Sequence, residues 1–130
     1  MQILLSIKPE FVEKIFNGEK RFEFRKQIPK KQFNKVFIYE SSPTQNIVGW
    51  FRVGNIIKGH PDDIWGNCKD NSGILESQYY QYCNGNTRIY ALELKEVHKF
   101  DEPINPFDFV SDFTPPQNFS YLETNNDFHL

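Results

Sequence analysis

The spacing of apolar residues changes at Gly18, and that change constrains the fold more than any other feature of the chain. Before it, Phe11, Val12, Ile15 and Phe16 recur at helical spacing, Pro9 suits a first helical position, and Glu10 and Lys14 make an i,i+4 pair on the outer side. Gly18 fits the left-handed position that closes a helix. After it the period is two, with Phe22 and Phe24 on one side of a strand and Arg21, Glu23 and Arg25 on the other. Residues 3–7 are a short apolar run that reads as a buried strand, so the chain opens strand, helix, strand. Lys20 has the parity of the phenylalanines and joins Glu23 and Arg25 only if the helix-to-strand turn aims it there. The alternative for this charged face is a solvated strand surface with mutual ion pairs.

Further strands are predicted over residues 35–39, 47–57 and 87–97, the last with an extension through Phe100. Gly49 and Gly54 mark bulges or bends of the kind that curve a sheet. Residues 61–85 read as helical, opening at Pro61 and closing at Asn84-Gly85. The proline-rich end, with Pro103, Pro106, Pro115 and Pro116, reads as extended chain pinned by Phe107, Phe109, Phe113 and Phe119. No regular βαβ alternation is present. The expectation is an α+β fold in one domain over 1–130: a small mixed β-barrel of five to six strands, covered by two or three helices, with an extended C-terminal tail.

At 130 residues the chain is long enough for a single packed core, and its 13 Phe supply much of it. No apolar run approaches a membrane span and the first residues lack the pattern of a signal peptide, so the expectation is a cytoplasmic protein with no membrane partner. Cys68 and Cys83 lack metal-ligand spacing with each other or with His60, His98 and His129, which predicts buried free thiols and calls for neither a metal nor a cofactor. Net charge is −2 but unevenly spread. Residues 1–35 hold nine Lys and Arg against four Glu, a balance of +5, and the remainder holds six against thirteen, a balance of −7. Such a split suits either a basic face for an anionic partner or complementary halves that pair on folding.

Taken in order, several segments resemble the ASCH domain, a family of the PUA-like superfamily of small β-barrels. Residues 18–25, Gly-Glu-Lys-Arg-Phe-Glu-Phe-Arg, are similar to its G-x-K-x-x-E-x-R signature. Residues 4–9, 39–43, 47–49, 72–74, 90–92 and 100–104 continue the likeness. Residues 115–122 look like the end of a compact single-domain subgroup labelled predicted transcriptional regulators. The resemblance implies RNA or nucleic-acid binding in a cleft lined by the signature strand. Some members are amidohydrolases acting on acetylcytidine through a lysine and a threonine with a distant glutamate, and ribonuclease activity is known for others. Lys20 and Arg25 match the signature, but Glu23 stands where the deacylases carry threonine, and Asp70 and Glu76 lie in the region of their glutamate without a matching motif.

The residues themselves support two chemistries. For binding RNA or a modified nucleoside, Lys8 and Lys20 offer point charges, Arg25 a planar fork, and Glu23 an acceptor for an exocyclic amine. Ser41 and Ser42, in the polar turn at 40–46, add hydroxyls and backbone N–H groups that either face a ligand or simply close a hairpin. Tyr39 and Trp65 either stack on a base or pack in the core. For hydrolysis, Glu23 is the candidate base, and Lys20 holds an oxyanion or, with a depressed pKa, acts itself. Lys20→Ala and Arg25→Ala are expected to abolish ligand binding with the fold intact.

Overall fold

A computed structural model describes residues 2–108 and 112–122. Its strands are β1 (Gln2–Ile7), β2 (Phe22–Arg25), β3 (Lys35–Glu40), β4 (Asn46–Gly59), β5 (Ile89–Ile104) and β6 (Phe119–Leu122). The helices are α1 (Pro9–Phe16), α2 (Pro61–Cys68) and α3 (Glu76–Cys83). The strands form one mixed sheet in the order β2-β5-β4-β3-β1-β6, with β1 and β3 parallel and the other neighbours antiparallel. The long β4 and β5 carry the curvature, and their register shifts fall beside Gly49 and across Gly54. The sheet curls far enough that Arg25, on edge strand β2, donates to the Ser6 carbonyl of β1 near the opposite edge. This is the α+β arrangement the sequence predicts.

α1 forms where its local signals place it. Pro9 occupies the first turn after an extended Lys8, Val12 and Ile15 are buried, and Gly18 takes the left-handed conformation (φ 88°) beyond the C-terminal end. That helix packs with Ile3, Leu5, Ile7, Val36, Ile38 and Phe51 in the main core. A second cluster joins Phe24, Ile89 and Ala91 to Ile64, Trp65, Cys68, Tyr79 and Cys83 of α2 and α3. Both cysteines are free and buried, and burial pushes the Cys68 thiol up to about 11. Trp65 stacks on Tyr79 at 4.7 Å and Tyr39 is buried against Phe37 and Ile47, so both are core residues rather than base-stacking platforms.

Three elements differ from the sequence reading. β5 runs on to Ile104, past Phe100, because β4 pairs with it as far as Ile47 opposite Ile104; β2 pairs with only Glu93 to Tyr90, so the later part of β5 lacks that neighbour, which is where a strand tolerates Pro103. The helical stretch 61–85 is broken by a 3-10 turn (Lys69–Asn71) and by Gly73 in the left-handed conformation (φ 63°). The tail is not only a wrap: residues 119–122 pair with β1 as the sixth strand, while Phe113 packs on Tyr39 at 5.4 Å. Phe107 is exposed, and Phe109 and His129 lie outside the described residues. Among the described residues no helix is long and apolar enough to cross a membrane.

Candidate nucleic-acid interface

The turn after α1 settles where Lys20 goes. The Lys20 backbone N–H donates to the Lys14 carbonyl (3.0 Å) and the Arg21 N–H to the Asn71 carbonyl (2.7 Å), which locks the chain against both α1 and the 3-10 turn. Lys20 is thereby turned in toward Glu23, its Nζ 3.7 Å from Glu23 Oε1 and donating to the Ser72 carbonyl at 2.8 Å. The rings of Phe24 and Phe11 lie 5.0 and 5.3 Å from that ammonium. Lys20, Glu23 and Arg25 are only 3, 6 and 8% exposed, so the strand face that alternation assigns to charge is buried. Both sides of β2 are covered, one by the second core cluster and the other by the charged residues' own partners.

Arg25 is committed. Its Nε and Nη2 donate to Glu23 Oε2 at 3.1 and 2.6 Å, Nη2 also to the Ser6 carbonyl at 3.1 Å, and Nη1 to Asn118 Oδ1 at 3.3 Å. Nearly all of its donor capacity is spent inside the protein, so it holds Glu23 and ties β2 to the far edge of the sheet. Lys20 is less committed: of three N–H donors, Ser72 takes one and Glu23 engages a second.

These three side chains line a cleft of about 490 Å³. Lys8, Glu10 and Phe11 flank it from the start of α1, while Ile74, Gln78, Gln81 and Tyr82 face them from α3 and the segment before it. The lining mixes the apolar and aromatic faces of Ile7, Phe11, Phe24, Ile74 and Tyr82 with a larger number of polar and charged groups, which suits a flat ligand with polar edges. Lys8 is exposed at the mouth. Tyr82, whose phenol is pushed up by burial, accepts a hydrogen bond from the Lys26 backbone N–H at 3.1 Å. Ser41 and Ser42 do not line the cleft. They sit in the turn between β3 and β4, where the Ser41 N–H donates to the Ile7 carbonyl (3.0 Å). Asp70 is exposed in the 3-10 turn and Glu76 accepts from Trp65 Nε1 at 2.9 Å, so neither joins the site. The α3 amides and Ser72 escaped the sequence reading because no local pattern marks a wall contributed some 50 residues away in the chain; the 72–74 likeness was the nearest signal.

Burial pushes the Lys20 ammonium below the usual lysine range and Arg25 and Lys14 push the same way, while the Glu23 carboxylate opposes them. The unfolded chain therefore holds this proton to higher pH than the folded one, and the cost of burying the charge is relieved as pH rises toward 10.5. The stability of wild type relative to Lys20→Met is expected to increase as pH rises toward 10.5 in paired denaturation curves; a decrease would mean that Glu23 dominates. Among the described residues no ion pair joins the basic first 35 residues to a carboxylate beyond them. The charge asymmetry is thus not consumed by pairing between the halves, and Lys8, Arg21, Lys26, Lys30 and Lys31 stand exposed.

Comparison with known proteins adds four findings. The family model described as "Domain of unknown function (DUF365)" matches residues 1–112. An ASCH domain-containing ribonuclease of Zymomonas mobilis is 28% identical over 125 residues, 93% of this chain and 84% of that protein. The crystal structure of ASCH from Zymomonas mobilis superposes with a TM-score of 0.89 at 26% identity, covering 96% of this chain and 90% of that one. The large ribosomal subunit protein uL22 of Ureaplasma parvum is 28% identical over 124 residues, a match spanning only 39% of its length.

Proposed function

The chain is an ASCH domain and belongs to the family described as DUF365, and from that premise we propose that it is a nucleic-acid-binding domain that takes an unpaired RNA base, plain or modified, into the cleft above Lys20 and Glu23. The observation that carries this reading is the buried Lys20–Glu23–Arg25 array in a cleft that combines aromatic and aliphatic faces with polar groups. A buried charged network needs its partners held in place, and Arg25 holds Glu23 for that purpose. Glu23 Oε1, met only by Lys20 at 3.7 Å, then keeps a lone pair to accept from an exocyclic amine, and the remaining Lys20 N–H is a donor for a carbonyl oxygen. The aromatic ring of Phe11 and the side chain of Ile74 flank the base, Gln78 and Gln81 offer amides to its edge, and Lys8 meets the adjoining phosphate at the mouth. Ribonuclease activity in the Zymomonas relative supports RNA as the ligand.

A second reading, hydrolysis of RNA or of an acylated nucleoside, draws on the same relative and on the lowered Lys20 pKa. There the Lys20 amine, freed of its proton by the lowered pKa, acts as base or nucleophile, or else Glu23 Oε1 serves as base and the Lys20 ammonium stabilises the oxyanion. Binding without turnover suits a regulatory protein; turnover makes an enzyme.

One experiment separates the two. In a salt series with a short single-stranded RNA, log affinity is expected to fall with log salt at a slope of about −0.7 per phosphate contacted, with Lys8→Ala and Lys20→Ala weakening binding and the RNA recovered whole. Cleaved RNA, or turnover of acetylcytidine lost in Lys20→Ala, would select hydrolysis. Wild-type affinity in both variants would remove this cleft from consideration.

A further inference from the structure

A second groove, of about 610 Å³, opens beside the cleft at one end of three adjacent strands. The register explains why it is basic. Tyr90 of β5 pairs with Arg25 of β2 on one side and with Lys58 of β4 on the other. Lys26 follows Arg25 directly and Arg88 precedes Tyr90 by two residues, so Lys26, Lys58 and Arg88 converge at the same end of the sheet and all line the groove. Asn86 and Thr87 contribute further donors, and no carboxylate lines the groove. On the rim, the His60 imidazole has Asp62 3.6 Å from its Nδ1. Among the described residues none of the three cations has an ion-pair partner, on a protein whose net charge is −2. Three exposed cations with no carboxylate among the groove's lining residues suit an anion, whose binding relieves their mutual repulsion.

The groove also touches the cleft. Lys26 belongs to the groove and Tyr82 to the cleft, and they are joined by the 3.1 Å hydrogen bond from the Lys26 N–H and by the Lys26 ammonium 4.9 Å from the Tyr82 ring. We propose that the groove holds the phosphodiester backbone that continues from a nucleotide seated in the cleft, so that the ligand is a single-stranded oligonucleotide and not a free nucleoside. This rests on the nucleic-acid reading of the cleft and extends it to the length of the ligand. A strand turning past Tyr82 places successive phosphates along Lys26, Lys58 and Arg88, the backbone-tracking mode of single-strand binders.

The test measures affinity for a mononucleotide, a mixed-sequence tetranucleotide and an octanucleotide, with pyrophosphate as competitor. It uses wild type, Lys58→Ala/Arg88→Ala, Lys20→Ala, and Lys30→Ala/Lys31→Ala as a charge-matched control outside the groove. Wild type should gain affinity with length; the groove variant should lose that gain, with a drop of about tenfold for the octanucleotide and a salt slope shallower by about 1.4. An octanucleotide affinity and slope unchanged in the groove variant would overturn the proposal, and if Lys20→Ala still weakened binding the cleft reading would survive alone. An equal loss in the control would reduce the effect to general charge and also overturn it. So would pyrophosphate displacing the octanucleotide with no dependence on length, since that describes a small-anion site. Failure of wild type to bind any of the nucleotides would remove both readings together.

Discussion

Glu23→Ala is expected to destabilise the protein by about 3–5 kcal/mol, the range seen when one member of a buried ion pair is removed. Glu23 Oε2 accepts both Arg25 hydrogen bonds and Oε1 faces Lys20, and all three side chains are nearly inaccessible. Without the carboxylate two cations remain buried against each other, and the guanidinium that links β2 to Ser6 and Asn118 loses its anchor. Glu23→Gln keeps an acceptor for Arg25 but not the charge, and should fall between wild type and alanine. Chemical denaturation measures all three, and a loss below about 1 kcal/mol for alanine would show that the array is solvated and not structural. The same argument separates two substitutions that look equivalent in sequence. Lys20→Ala leaves Glu23 with its two Arg25 bonds, whereas Arg25→Ala leaves it with a single ammonium at 3.7 Å and opens the strap across the sheet edges. Only the lysine substitution is a clean probe of binding.

Gly73→Ala should cost about 2–5 kcal/mol, combining the left-handed backbone with overpacking, and should weaken RNA binding as well. Gly73 has φ 63°, and a methyl group there would lie 2.6 Å from Lys20 Cβ and 3.0 Å from its Cα. The neighbouring Ser72 carbonyl is the acceptor for Lys20 Nζ, so any shift that relieves the overlap moves the ammonium from its place. Gly73→Asn tests the division of causes, since Asn tolerates the left-handed conformation yet brings the same Cβ. Equal losses for Ala and Asn would assign the cost to the overlap with Lys20. Wild-type stability and affinity in both would contradict the role given to this contact.

The parts of the fold that were legible in the chain are those with short-range signals. Pro9 and Gly18 bracket α1, and the alternation of Phe22 and Phe24 announces β2. Gly49 and Gly54 foretell the irregular pairing of β4 and β5. The G-x-K-x-x-E-x-R-like stretch singles out Lys20, Glu23 and Arg25, and the structure finds these three lining one cleft. Ser41 and Ser42 were plausible as ligand contacts only because a polar turn offers donors, and the structure spends the Ser41 N–H on β1. Alternation also misled: it marked Glu23 and Arg25 as an outer face, which holds for a flat sheet but not for one curled until Arg25 reaches β1.

The sequence by itself determined the succession of helices and strands, the basic character of the first 35 residues and the three residue types of the signature, because each is written in neighbouring positions. Only the tertiary structure decided that Lys20 turns in to meet Glu23, that Arg25 is used up as a strap, that residues 119–122 become a strand, and that Lys26, Lys58 and Arg88 meet at one end of the sheet. Each of these depends on partners dozens of residues distant, brought together by sheet register and by burial, and neither register nor burial leaves a local mark on the chain.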